Sequence, residues 1–113
     1  MIKIEVVLDQ NGILRACKAR GHAKAGKAGT DIVCAAVTVL MRTALSTLSD
    51  REGITIRTIR EDDAPEPGLI WLEADYTAEG KDFLFAAGAF LTQGLRSVAE
   101  EFPECCSFKL FQN

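Results

Sequence analysis

What this 113-residue chain lacks narrows its class before any motif is considered. It holds a single histidine, and its four cysteines, at 17, 34, 105 and 106, show no C-x-x-C spacing. That is too poor a ligand set for a zinc site, and neither a metal nor a cofactor is expected. A chain of this length can bury around two thirds of its unfolded surface, so no disulfide framework is required. Adjacent Cys105 and Cys106 read as two reduced thiols, and reduced thiols point to the cytosol. The start, Met1-Ile2-Lys3-Ile4-Glu5, has no apolar signal core. The longest near-apolar run, Ile32 to Met41, falls far short of the ~18 residues a membrane span needs. A soluble, cytoplasmic protein with no membrane partner is expected.

A surplus of positive charge is also missing. The net charge of −3 argues against a general nucleic-acid binder, and no direct nucleic-acid partner is expected. The charge is uneven, however. Arg15, Lys18, Arg20, Lys24 and Lys27 occur with no acid among them, whereas residues 61–66 hold four acids. The simplest account is a pair of solvated faces; the functional one is that the basic side activates a thiol or meets a partner.

No internal repeat or linker interrupts the chain, which reads as one domain over 1–113. Ile2, Ile4 and Val6 alternate with Lys3 and Glu5, the period-2 pattern of a half-buried strand. Asp9-Gln10-Asn11-Gly12 predicts a turn, with positive φ tolerated at both Asn11 and Gly12. Ile13 to Arg20 returns as a second strand. From Asp31 to about Asp50 a helix is expected, with Val33, Val37, Leu40, Ala44 and Leu48 at helical spacing. Val, Ile and Thr there would also suit a strand, but the run is too long for one. Its first half is apolar nearly all round, so it must be covered on more than one side. Ile54 to Glu61 and Leu69 to Tyr76 read as strands joined by an acidic, proline-containing loop. A second helix is expected from Gly80 or Lys81 to Phe102, where Pro103 stops it. Its stripe is Leu84, Ala87, Leu91, Leu95, Val98 and Phe102. Ser107 to Phe111 is compatible with a short closing strand. The order ββαββα(β) implies an α+β fold, a mostly antiparallel sheet packed with two long helices.

The chemistry-bearing residues cluster between Gly21 and Met41. A loop of small and charged residues carries the sole histidine, His22, and leads into the first helix. Thr30 or Asp31 is a suitable N-cap, which places Cys34 near the third or fourth helical position. A thiol there meets the positive end of the helix dipole, and Lys24 and Lys27 act in the same direction. Cysteine within Ile-Val-Cys-Ala-Ala-Val is also a common core residue. Gly21-x-x-x-x-Gly26-Lys27-Ala28 approaches the phosphate-binding loop pattern but fails at Ala28, which has no hydroxyl for magnesium.

Gly21-His22-Ala23, a glycine-containing spacer, then Gly29-x-Asp31-Ile32-Val33-Cys34-Ala35-Ala36-Val37 and the hydroxyl residue Thr38 resemble one family. It is the bacterial ribosomal-processing cysteine protease family, Prp. The resemblance implies a dyad of His22 and Cys34 in a homodimer. It also implies removal of a short N-terminal extension from large-subunit ribosomal protein twenty-seven, with cleavage after an aromatic residue. The hydroxyl residue is usually serine in that family, so Thr38 adds a methyl. Asp31 either orients His22 or caps the helix, and Gly21 and Gly29 shape the loop. Other classes compatible with the residues are a ribosome-associated binding module without chemistry and a thiol redox sensor using Cys34 with Cys105 or Cys106.

Overall fold

The structure, a computed structural model, describes residues 1–21, 30–59 and 68–113. Strands β1 (Ile2–Leu8) and β2 (Leu14–Arg20) precede helix α1 (Thr30–Leu48). Then come β3 (Ile54–Thr58), β4 (Ile70–Tyr76), helix α2 (Lys81–Glu101) and β5 (Cys106–Gln112). The strands form one sheet ordered β3-β4-β2-β1-β5. All pairings are antiparallel except that of β5, which runs parallel to β1 after the α2 crossover. This is the expected α+β architecture of a mostly antiparallel sheet and two long helices.

The alternation in β1 sets the layering. Ile2, Ile4 and Val6 are buried, and with Cys17, Ala19 and Leu72 they form one apolar sheet face. Val33, Val37 and Met41 of α1 and Leu91 and Leu95 of α2 pack on it. Both stripes follow the expected spacing, with Val33, Val37, Leu48, Leu84, Leu91 and Leu95 buried, and differ only at single neighbouring positions. Met41 is deeper than Leu40, and Gly88 and Ala99 are buried where Ala87 and Val98 are half-buried. Close approach explains the difference on α2, since a Cβ on Gly88 would stand 2.7 Å from the Leu14 Cβ.

Several element ends differ from expectation. The β1–β2 turn has positive φ at Gly12 but not at Asn11. Asp9 organises it instead: its Oδ1 accepts from the amides of Asn11 (2.8 Å) and Ile13 (3.0 Å), and its Oδ2 from the Tyr76 hydroxyl. Helix α1 stops at Leu48, short of the expected Asp50, because Asp50 turns left-handed at φ 57°. A short polar side chain tolerates that conformation. Strand β3 ends at Thr58, short of the expected Glu61: Ile59 is already outside the strand, and Arg60 and Glu61 lie outside the described residues. Strand β5 is longer than expected because every residue from Cys106 to Gln112 finds a partner on β1.

Gly53 and Gly80 join the end of the α1 layer to the start of α2. Gly53 has φ +79°, and a Cβ on Gly80 would collide with the Gly53 carbonyl oxygen and stand 2.6 Å from Ile54 Cγ1. Backbone cannot yield as a side-chain tip can, so Gly80→Ala should destabilise the protein by about 1–3 kcal/mol. Urea unfolding measures this; an unchanged midpoint would mean that the two turns separate freely.

Candidate active site

Cys34 is the fifth residue of α1. Val33 before it and Val37 after it are fully buried, whereas Ile32 is 62% exposed. Cys34 is half-buried, packed against the core on one side. The thiol thus sits on the border between core and surface. Thr38, also half-buried, follows one turn later on the same helix face.

Thr30 and Asp31 both lie inside α1, so neither is its N-cap as expected. The helix begins at Thr30, and the residue before it, Gly29, lies outside the described residues. Cys34 is therefore in the second turn, not at the third or fourth position. The field of a helix end fades within its first turn. Cα–Cβ bonds tilt toward the helix N-terminus, however, so the side chain leans back toward the unpaired first-turn amides.

The segment that joins β2 to this helix begins at a fixed point. Gly21 has φ +84°, and a Cβ on it would stand 2.7 Å from the Met1 carbonyl oxygen. Only glycine fits there, beside the Lys3–Arg20 pairing of β1 and β2. His22, Lys24, Lys27 and Gly29 lie outside the described residues, as does the side chain of Asp31. Sequence reasoning missed the Met1 contact; its one signal was a glycine directly after a strand.

The other thiols differ from Cys34 in setting. None of the four cysteines is in a disulfide. Cys17 is fully buried, with its Sγ 3.3 Å from the Met41 Sδ, and burial pushes its thiol up to about 12. Burial, then the neighbouring Cys105, pushes Cys106 up to about 11, which makes it a poor partner for thiol exchange. Cys105 is half-buried but follows the carbonyl end of α2.

The Cys17 shift has a consequence for stability. The folded state holds the proton more tightly than the unfolded one, so the contribution is complete below the ordinary thiol value of 9.0. It is lost as pH rises toward 12. Stability should fall by about 1.4 kcal/mol per pH unit in that window from this group alone. Cys17→Ala should flatten that slope in urea unfolding measured at successive pH values, and an unaltered slope would refute the assignment.

A separate apolar groove of about 220 Å³ runs between the helices, lined by Leu40, Thr43, Ala44, Thr47, Ala87, Phe90 and Leu91. It begins six residues beyond Cys34 on α1, so it is not the cleft of the thiol. Among the described residues no cluster suits a metal ion, and no helix is long and apolar enough to cross a membrane.

A family model described as Cysteine protease Prp matches residues 1–107. The chain belongs to that family. No curated protein matches its sequence. The Prp fold is shared with the essential ribosomal processing protease Prp of Staphylococcus aureus, solved with a substrate peptide. That match has a TM-score of 0.81 at 16% identity and covers 97% of this chain and 99% of that one. The S. aureus Prp with a covalently linked product peptide matches at 0.74 and 18% identity, covering 100% of both chains. SMU.848 from Streptococcus mutans is 27% identical, with a TM-score of 0.75 over 100% of this chain and 96% of that one. Prp chemistry needs a reachable thiol. Among the four cysteines, Cys34 is the one that is both partly exposed and near the amide end of a helix.

Proposed function

We propose that the chain is a cytoplasmic endopeptidase of narrow specificity in ribosome biogenesis, with Cys34 as nucleophile and His22 as general base and acid. Its substrate is the precursor of large-subunit ribosomal protein twenty-seven, cut after an aromatic residue within the N-terminal extension. The observation that carries this reading is the half-exposed Cys34 in the second turn of α1, in a chain that matches a cysteine protease family over residues 1–107.

In this mechanism His22 takes the Cys34 proton, and the sulfur attacks the scissile carbonyl carbon. First-turn amides of α1 donate to the oxyanion of the tetrahedral intermediate. His22 then protonates the leaving nitrogen as the C–N bond breaks, leaving a thioester. Water, deprotonated by His22, attacks that thioester and releases the new carboxylate and the thiol. Asp31, inside the helix and three residues before Cys34, orients His22, while Thr38 supports the thiol from the next turn. Gly21 and Gly29 bracket the loop that brings His22 to the helix and closes over the peptide. Incubation with a peptide spanning the candidate junction tests the reading: cleavage supports it, and binding without cleavage identifies a non-catalytic module.

The chain acts as a homodimer in this reading. The first half of α1 is not covered on all sides as its composition requires: Ile32 and Val39 are each 62% exposed, and Phe90 of α2 is 77% exposed beside the apolar groove. A second copy would cover them. Val39→Asp with Phe90→Ser should convert a dimer to a monomer in sedimentation equilibrium; a monomeric wild type would refute the assignment.

A further inference from the structure

The sheet has two faces, and α1 and α2 pack on only one of them. The strand register shows what the other face carries. Across β4, β2, β1 and β5, Trp71 pairs with Lys18, Lys18 with Glu5, and Glu5 with Lys109. The next row toward the start of β1 is Arg20, Lys3 and Ser107. With inter-strand steps of about 4.8 Å, the first row spans roughly 14 Å. Phe111, two residues beyond Lys109 on the same face, is 45% exposed.

Charge on this face is distributed unequally. Toward β3 it is neutralised: Arg57 lies 3.3 Å from Asp75 and 4.0 Å from Glu73, and Arg15 lies 3.8 Å from Asp75. Toward β1 and β5, Lys3, Lys18, Arg20 and Lys109 share the strand rows with one acid among the described residues, Glu5, which bonds Arg20 at 3.0 Å. Lys3, Lys18 and Lys109 are exposed and make no ion pair among the described residues. The net charge of −3 is thus an average that conceals a local surplus of three positive charges among the described residues of these rows, four cations against one acid.

We propose that this open sheet face binds single-stranded RNA, with bases stacking on Trp71 and Phe111 and phosphates meeting Lys3, Lys18 and Lys109. A half-exposed tryptophan beside unpaired lysines on a sheet is the combination that single strands use, since every base has a stackable face and every linkage a negative charge. A folded acidic protein would match the lysines but leave the aromatic rings without a planar partner. The proposal does not rest on the His22–Cys34 chemistry.

The test titrates the full chain with an oligouridine of about twelve nucleotides while the emission of Trp71, the sole tryptophan, is followed. Quenching is expected, with a binding constant that falls with salt at a log–log slope of about −2, from three phosphate contacts. Lys18→Glu with Lys109→Glu should weaken binding at least about tenfold, whereas Lys81→Glu on α2 should leave it unchanged. Lys18→Gln with Lys109→Gln reads the same loss if charge reversal perturbs folding, which circular dichroism monitors. Absence of quenching, or binding unaffected by the lysine variants, would overturn the proposal. Heparin binding with no response to oligouridine would also overturn it, by revealing an anion surface without base recognition.

Discussion

Cys34→Ser is expected to lower cleavage of the precursor by about three orders of magnitude or more. Serine is nearly isosteric, but its hydroxyl is a far weaker acid than a thiol, and the chain has one histidine, the proposed base His22, to deprotonate it. Stability should change little. Cys34 is half-buried and its neighbours Val33 and Val37 hold the helix to the core without it. A cost within about 1 kcal/mol is expected, read as a shift of a few degrees in thermal midpoint. Loss of activity with the fold retained is the signature of a nucleophile. Loss of both would mean that Cys34 is a packing residue, and retention of activity would remove it from the mechanism.

The second large effect concerns the thiols themselves and needs no substrate. In the native protein a small alkylating reagent should modify Cys34 first. Cys17 is fully buried and Cys106 nearly so, and the thiolate of each is disfavoured by burial. Their labelling requires opening of the fold, which a stability of even about 5 kcal/mol slows by a factor of at least ~10³. Peptide mapping after brief exposure to iodoacetamide measures the order. The position of Cys34 in the second turn shifts the expected source of its reactivity. The helix end contributes less there than at the third or fourth position, so in the proposed dyad a larger share falls to His22. His22→Ala should therefore remove most of the labelling advantage of Cys34 below pH 7. Labelling of Cys34 only on unfolding would identify an inert core residue.

The layering was legible in the sequence because one period of alternation dictates it. Ile2, Ile4 and Val6 could share a face only as a strand, and the long run after Asp31 without glycine or proline could only be a helix. The α1 boundary was less legible, since Thr30 and Asp31 are good caps in isolation. The turn at Asp9 escaped for a related reason: Asn11-Gly12 has a strong local preference, but the Asp9 carboxylate and the distant Tyr76 fix the loop. The parallel pairing of β5 with β1 joins residues about a hundred apart, which no local pattern encodes. At the candidate site, residue spacing made Cys34 a candidate, beside the reading as a core residue, and the resemblance supplied its proposed role. The accessibility that separates it from Cys17 and Cys106 is a tertiary property. The open sheet face was the least visible feature. Lys3, Lys18 and Lys109 are scattered in sequence and converge only through strand register.

The most direct test is intact mass spectrometry of the full-length ribosomal protein precursor, before and after incubation with this protein and with Cys34→Ser. The account predicts two fragments whose masses sum to that of the precursor plus one water, with the cut after an aromatic residue, and no fragments with the variant. A precursor of unchanged mass after exposure to a wild-type protein whose Cys34 alkylates readily would contradict it, as would fragments that persist with Cys34→Ser.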